Sequence, residues 1–481
     1  MSIVTHSVNT NDREMMQRFG EAFQALFTEE ACKLARETKF VQRHSPMTGA
    51  VFVQGLVFGF GAEPEATYTH LQQMMGLQKV SVSPQAVEQR MTKNAVVFLR
   101  KMLQKMMGIC VSSEPVAIEV FNRFKGVYLQ DGTVIGLPKS LEEDWKGCGG
   151  NTDKSGRSGM RAQVRLELST GRIEGLWLQE AKACERTGEG SLVGNAPPKG
   201  SLVIIDQGYV TIDDMNEMEK NARLRLTHAD ADLRVKDARG VKWNMADFVL
   251  SHTGNEIDEQ VVIGGTKKLA CRVIAFRVTE ERAEQRRARV NKNTKTRYKG
   301  SRGDARVGKK HRRADKEGNK RHRVGKNRRR LMQWTVLLTN VPSEQLSGHE
   351  ARILMRTRWQ IELMWKLWKQ RGQVDIWRSE KDTRILCEIF AKMMGMIVVH
   401  WMTIVGCWTD PNRSMVKAAH VVKILAPSFL LALSGALSFQ DLFEVNQCMM
   451  KHATVNSRRT RLNTAQLLRD PSRWKPLEGL G

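Results

Sequence analysis

Leu202-Val203-Ile204-Ile205-Asp206-Gln207-Gly208-Tyr209 is a four-residue apolar run that stops at a carboxylate and a glycine. A continuous apolar run of this length reads as a strand buried on both faces, the kind found inside α/β sheets. Upstream, Val127-Tyr128-Leu129-Gln130-Asp131 has the same shape and reads as a strand ending in a carboxylate. Between them, Gln163–Ser169 alternates, Thr170-Gly171 makes a turn, and Arg172–Gln179 alternates again with Gly175 as a candidate bulge, which is a hairpin signal. Residues 185–200 read as a Gly- and Pro-containing loop, Ile212–Lys220 as a helix and Arg223–Thr227 as a strand. The sum is a mixed α/β core.

Outside this segment the texture changes twice. Residues 10–110 read as helices; one ends near Met75-Gly76, and Ser83-Pro84 looks like an N-cap with proline in the first turn of a second helix running through Val87 and Met91. Helix, short turn, helix is compatible with DNA docking and equally with a plain hairpin. Between 235 and 280 short strands are expected at Phe248–Ser251, Gln260–Ile263 and Leu269–Val278, and Gln333–Leu338 returns to strand. Helices follow over Ser343–Arg371 and Thr383–Trp408, then a helical tail reaches about Arg469.

Charge narrows the partner. The chain has 481 residues and a formal net charge of +26. Residues 281–330 hold 22 Lys/Arg against 5 Asp/Glu, so a tenth of the chain carries about two thirds of the excess. This disfavours a small-molecule enzyme of neutral surface and favours a polyanion. The tract has one aromatic, Tyr298, so it suits salt-sensitive phosphate binding better than base stacking. The first twenty residues show no apolar signal region, and the most apolar stretch, Ile389–Trp408, contains Lys392 and His400, so a buried helix and no membrane partner are expected. The eight cysteines form no CxxC, which removes support for a zinc ribbon and fits reduced thiols in the cytoplasm.

Three carboxylates stand out. Asp131 and Asp206 follow apolar strands, where α/β sheets gather their sites. Glu362 lies on a helix that places Arg358, Lys366 and Lys369 beside it, with Ile361, Met364, Leu367 and Trp368 on the other side at about 100° per residue. Taken alone, Arg358–Glu362–Lys366 also suits a salt-bridged surface helix, worth about 0.2–0.5 kcal/mol per pair, and each aspartate suits a turn cap. Taken together, three acids suit magnesium, which prefers oxygen ligands, and two such ions about 4 Å apart can clamp an in-line displacement at phosphorus.

Arg358-Trp359-Gln360-Ile361-Glu362 followed by Lys369 resembles the Arg-x3-Glu-x6-Lys part of the YREK signature of the insertion-sequence-4 family of DDE transposases. Asp131-Gly132-Thr133 resembles that family's first Asp motif, Asp206-Gln207-Gly208-Tyr209 its second, and Trp334–Asn340 the strand that returns before the Glu helix. The likeness covers roughly residues 125–370. It implies an RNase H-like mixed-sheet catalytic core (121–234 and 336–411) interrupted by a β-rich insertion domain (235–335, with the basic tract 281–330). Around it the residues give a helical N-terminal DNA-binding region (1–120) and a helical C-terminal region (412–481), whose apolar Ile424–Phe439 suits dimerisation and equally a packed helical tail. Asp131, Asp206 and Glu362 would be the catalytic, metal-binding triad with two Mg2+ ions, replaceable by Mn2+. Arg358, Lys366 and Lys369 would contact DNA phosphates, and Trp334 would stack on a flipped base. The implied activity is metal-dependent hydrolysis at the ends of an insertion sequence, then strand transfer of the 3′-OH into target DNA, by cut-and-paste through a hairpin. The partners would be double-stranded DNA carrying the terminal inverted repeats, target DNA, and a second copy of the chain in a synaptic dimer, in a bacterial cytoplasm. The family's Tyr is Met355 here, which cannot donate a phenolic hydrogen bond. That leaves open a catalytically impaired or domesticated DNA-binding relative; a simple metal-dependent nuclease shares the chemistry.

Overall fold

The computed structural model describes residues 5–7, 13–148, 158–289, 325–455 and 462–470; most of the basic tract, 290–324, lies outside the described residues. The chain divides into two compact units, one of Met1–Ser201 with Thr357–Arg469, the other chiefly Leu202–Arg356. The chain is α/β, with mixed-sheet strands and many helices.

In the first unit the N-terminal helices are Arg13–Ala25, Ala31–Glu37, Gly49–Ala62, Tyr68–Gly76, Pro84–Arg90 and Lys93–Met107. Their starts are written in the sequence: Thr48, Thr67, Ser83 and Thr92 each accept a hydrogen bond from the backbone N–H three residues on. The Ser83 cap is as expected, but its helix ends at Arg90, because Thr92 caps a new one. These helices share a core with the C-terminal helices Asp382–Cys407, Met415–Leu433 and Phe439–Met450. Phe19, Phe23 and Phe58 pack against Trp401, Phe429, Phe439 and Phe443 with ring centroids 5.2–6.3 Å apart, and Phe27 packs on Phe23 and Phe58. Each buried phenylalanine contributes about 1.5–3 kcal/mol, so the two ends of the chain form one hydrophobic body.

The central helix, Asp382–Cys407, is apolar and long enough to cross a membrane, yet 89% of its most apolar window is buried inside the protein. Its charges are satisfied internally. Lys392 Nζ donates to Glu388 at 2.7 Å and to the carbonyl of Ile376 at 2.8 Å. His400 Nε2 lies 2.6 Å from the carbonyl of Gly171. Burial pushes the His400 imidazole down to about 4, so it is neutral at pH 7 and donates that bond. Met415–Leu433 also meets the length and apolarity for a span and is 56% buried.

A short parallel pair joins β1 (Thr5–Ser7) to β2 (Cys110–Ser112). The sheet of this unit has β3 (Val127–Leu137) against β4 (Ser158–Glu167) and β4 against β5 (Ile173–Glu180), all antiparallel. The register slips between Arg165 and Leu166, opposite Gly175 and Ile173, which is the bulge expected near Gly175. Gly171, at φ +77°, closes the β4–β5 turn with the Trp408 ring packed beside it, where a side chain would collide.

In the second unit the strand order is β6-β7-β12-β11-β10-β8-β9. β6 (Leu202–Ile205) is buried throughout and pairs in parallel with β7 (Leu224–His228), with the Ile212–Lys220 helix between them in sequence. β8 (Arg234–Lys236), β9 (Lys242–Asn244), β10 (Glu256–Ile263), β11 (Leu269–Arg277) and β12 (Trp334–Thr339) join through antiparallel pairings, β12 lying against both β11 and β7. Phe248–Ser251, expected as strand, belongs instead to a helix, Met245–Leu250. Asn244 caps it by accepting from the Asp247 N–H at 2.8 Å, and its apolar residues are buried along a helical face. Helix also covers 280–289 and Lys326–Arg330. Ser347 and Glu350 form a reciprocal cap that starts the Gly348–Thr357 helix, so the helix expected from Ser343 begins later and breaks at Arg358 before Trp359–Gln370.

Candidate active site

Asp131 was expected at the end of a strand. It lies instead in the middle of β3, which continues to Leu137 because Gly132 to Leu137 keep their pairing with β4. Its neighbours Gln130 and Gly132 point to the opposite face. There Gln130 donates to the carbonyl of Gly190 at 2.5 Å, and the fully buried Arg165 donates to Gln130 at 2.9 Å and to the carbonyl of Asn195 at 2.5 Å. This polar network fixes the strand beneath the site. On its own face Asp131 stands opposite Val164, an apolar setting. Burial pushes its carboxyl up to about 6; the Gly132 N–H and the Arg358 charge oppose the rise, while Glu362 and Glu185 add to it.

Glu362 is one turn into the Trp359–Gln370 helix, whose Ile361, Met364, Trp365, Leu367 and Trp368 are buried. Arg358, the residue before that helix, pairs with Glu362 at 2.5 Å. Lys369 Nζ donates to the carbonyl of Val134 at 3.0 Å, so the helix is tied to the strand that carries Asp131. Lys366 is exposed. The structure therefore brings Asp131, Glu362, Arg358 and Lys369 together in the first unit. Sequence reasoning missed Glu185, which acts on Asp131 electrostatically and is ion-paired to Arg161. It comes from a stretch, 185–200, with only loop character in the sequence, and no local pattern points to it.

Asp206 belongs to the second unit. It follows β6 as expected, and its side chain accepts from the Gln207 N–H at 2.9 Å, capping the turn Gln207–Tyr209. Gln207 in turn donates to Asp230, beyond the end of the neighbouring β7, at 2.6 Å. Asp230 is a second acid near this strand end that the sequence did not single out.

Trp334, expected to stack on a base, is only 5% exposed at the start of β12, with Arg277 over its ring at 5.9 Å. A ring covered in this way offers no face to a base, and its placement is that of a core residue. Met355, at the family's Tyr position, is also buried.

The first unit thus gathers two carboxylates, one of them half-buried and raised chiefly by that burial, with Arg358 and Lys369 at their border. Residues 122–397 match the family described as transposase DDE domain, and the chain belongs to that family: it is an enzyme acting on DNA. The transposase for insertion sequence element IS231E of Bacillus thuringiensis subsp. finitimus is 24% identical over 386 residues, 76% of this chain and 75% of that one. The transposase for IS231F of Bacillus thuringiensis subsp. israelensis is 22% identical, with 81% of each chain covered. The transposase for IS1151 of Clostridium perfringens is 22% identical, covering 77% of this chain and 76% of its own.

The family implies dependence on a divalent metal. Among the described residues no three His, Cys, Asp or Glu side chains are grouped to hold an ion. The donor chemistry of Asp131 and Glu362 nevertheless fits one. Both are oxygen ligands, and the Glu362 charge adds to the cost of charging Asp131, which a cation would relieve.

Proposed function

We propose that the chain is the transposase of an insertion sequence, built on an RNase H-like core with an inserted β-rich domain. It hydrolyses the phosphodiester at each element end to leave a 3′-OH, and that hydroxyl then attacks a phosphorus of target DNA, forming a new ester as the target strand's own 3′ oxygen leaves. No covalent protein–DNA bond is needed. The supporting observation is the pairing of Asp131 with Glu362 inside the span that matches the family, a span that also contains Asp206.

Asp131, Asp206 and Glu362 would hold the divalent ions, two Mg2+ or Mn2+ in their place. When bound, such ions help ionise the attacking hydroxyl and take up charge on the leaving oxygen. The chain's other residues position the reactants. Arg358 orients the Glu362 carboxylate through its ion pair and, with Lys366 and Lys369, meets DNA phosphates. The partial burial of Asp131 makes its charge costly until a cation arrives. The DNA would be duplex carrying terminal inverted repeats, engaged by a homodimer in the cytoplasm, with the second strand cut through a hairpin. Ile424 and Val445, exposed on the C-terminal helices, suit that dimer contact.

The test is to incubate purified protein and Mg2+ with DNA carrying the element's own ends and a second, target DNA. Joined products support the reading; cleavage without joining leaves a nuclease.

A further inference from the structure

Asp206 and Asp230 follow neighbouring strands of the second unit, and one residue joins them. β6 and β7 run parallel in register, Leu202 opposite Leu224 and Ile205 opposite Thr227, so the chain leaves both strands at nearly the same level. After β6, Asp206 opens a tight turn. Its carbonyl accepts from the Tyr209 N–H at 3.1 Å and its Oδ1 from the Gln207 N–H at 2.9 Å. After β7, the Ala229 N–H stays bonded to the carbonyl of Val336 on β12 at 3.0 Å, and Asp230 comes next. Gln207 Nε2 then donates to Asp230 Oδ2 at 2.6 Å. Gln207 is thus held at both ends, by one aspartate through its backbone and by the other through its side chain.

Asp230 is fixed in its turn. Its Oδ1 accepts from the Asp232 N–H at 2.7 Å, and its carbonyl accepts from the Leu233 N–H at 3.2 Å. The Asp232 carboxylate accepts at 2.7 Å from Nδ2 of Asn327 on the Lys326–Arg330 helix, and Arg330 of that helix pairs with Asp247 at 2.6 Å. Both oxygens of Asp230 are therefore taken by donors that are anchored elsewhere. This sets the Asp230 rotamer and, through a charge-assisted bond, the Gln207 side chain. Asp206 differs: Oδ1 is used in the turn, and Oδ2 has no protein partner among the described residues. Asp206, Asp230 and Asp232 are exposed, so water competes for their bonds and these add little to folding stability. What the bonds supply is orientation. The partners that orient a metal-binding carboxylate are typically worth about 10–100-fold in metal affinity or activity.

We infer that Asp230 is a positioning residue for DNA cleavage: through Gln207 it holds the turn that carries Asp206, and so fixes the direction in which the Asp206 carboxylate meets a divalent ion. The role rests on Asp206 being a metal ligand of the proposed transposase. Asp230 acts through Gln207 and not as a ligand, because both its oxygens are committed.

The experiment compares wild type with Asp230→Ala, Asp230→Asn, Gln207→Leu, the Gln207→Leu/Asp230→Ala double variant and Asp206→Asn. It reads kcat and KM for Mg2+-dependent cleavage of DNA carrying the element's ends, Mn2+ affinity of the protein–DNA complex by electron paramagnetic resonance, and melting temperature. Asp230→Ala and Gln207→Leu are each expected to lower kcat about 10-fold and to weaken Mn2+ binding by a similar factor, with KM and melting temperature unchanged. The double variant should be no worse than the worse single one, because both changes cut the same link. Asp230→Asn, whose amide meets a flipped Gln207 amide, should recover most of the rate. A wild-type rate and Mn2+ affinity in Asp230→Ala overturn the inference. So do losses that multiply in the double variant, which give Asp230 a role of its own as a ligand or DNA contact. A lower melting temperature with unchanged Mn2+ affinity also overturns it, by marking a purely structural role. Asp206→Asn separates the inference from the wider reading. If that variant loses cleavage while Asp230→Ala cleaves normally, only the positioning role falls. If it cleaves at the wild-type rate, the assignment of Asp206 falls and the positioning role with it.

Discussion

Lys369, on the helix of Glu362, donates to the backbone carbonyl of Val134, three residues beyond Asp131 on β3. A lysine expected from sequence to meet DNA thus also sets the spacing between two catalytic candidates. Removing it with Lys369→Ala is expected to cost about 1 kcal/mol in chemical denaturation, the usual net worth of a hydrogen bond, and to weaken cleavage more than DNA binding. Lys369→Arg, which retains a donor, should recover part of the cleavage rate. Equal loss of binding and cleavage in both variants would assign Lys369 to DNA binding alone.

The raised Asp131 carboxyl makes metal-free stability depend on pH. Its ordinary value is 3.8 and its folded value about 6. Between about pH 4 and 6 the folded chain keeps a proton that the unfolded chain has lost, so this contribution is present at low pH and disappears as pH rises through 6. Asp131→Asn should flatten the denaturation profile in that window and leave the metal-free protein more stable than wild type at pH 7.5. A profile that stays the same in the variant would show that Asp131 is not the group responsible.

Glu388 and Lys392 form a buried pair in the core helix, and burial draws the Lys392 ammonium below its ordinary range. Lys392→Met alone strands a carboxylate and should cost about 3–5 kcal/mol. Glu388→Leu with Lys392→Met should recover most of that loss. A double variant as unstable as the single one would mean that the Lys392 bonds to the carbonyls of Gln373 and Ile376, not the charge pair, hold the helix.

The sequence was most legible where local physics decides. An all-apolar quartet marked β6, capping residues marked helix starts at Ser83, and alternation marked the β4–β5 hairpin. It was least legible where partners distant in sequence decide. Asp131 looked like a strand end because the apolar run stops there, yet pairing with β4 carries the strand on to Leu137. Phe248 looked like strand because three apolar residues cannot distinguish a short strand from a buried helix; the Asn244 cap was the overlooked signal. Trp334 looked available because sequence does not show burial. Glu185 depends on segments far apart in the chain meeting in space, and no local pattern announces it. The acids Asp131 and Glu362 were nameable from the order of motifs, but the rise of the Asp131 carboxyl was not.

The central claim is that the carboxylates of Asp131, Asp206 and Glu362 carry metal-dependent cleavage of DNA. The most direct measurement is Mg2+-dependent nicking of end-bearing DNA by Glu362→Gln, a change that keeps size and removes charge, beside its DNA affinity and melting temperature. The account predicts cleavage reduced by at least about 100-fold, with affinity and fold retained. Cleavage at the wild-type rate by a folded, DNA-binding Glu362→Gln protein would contradict it.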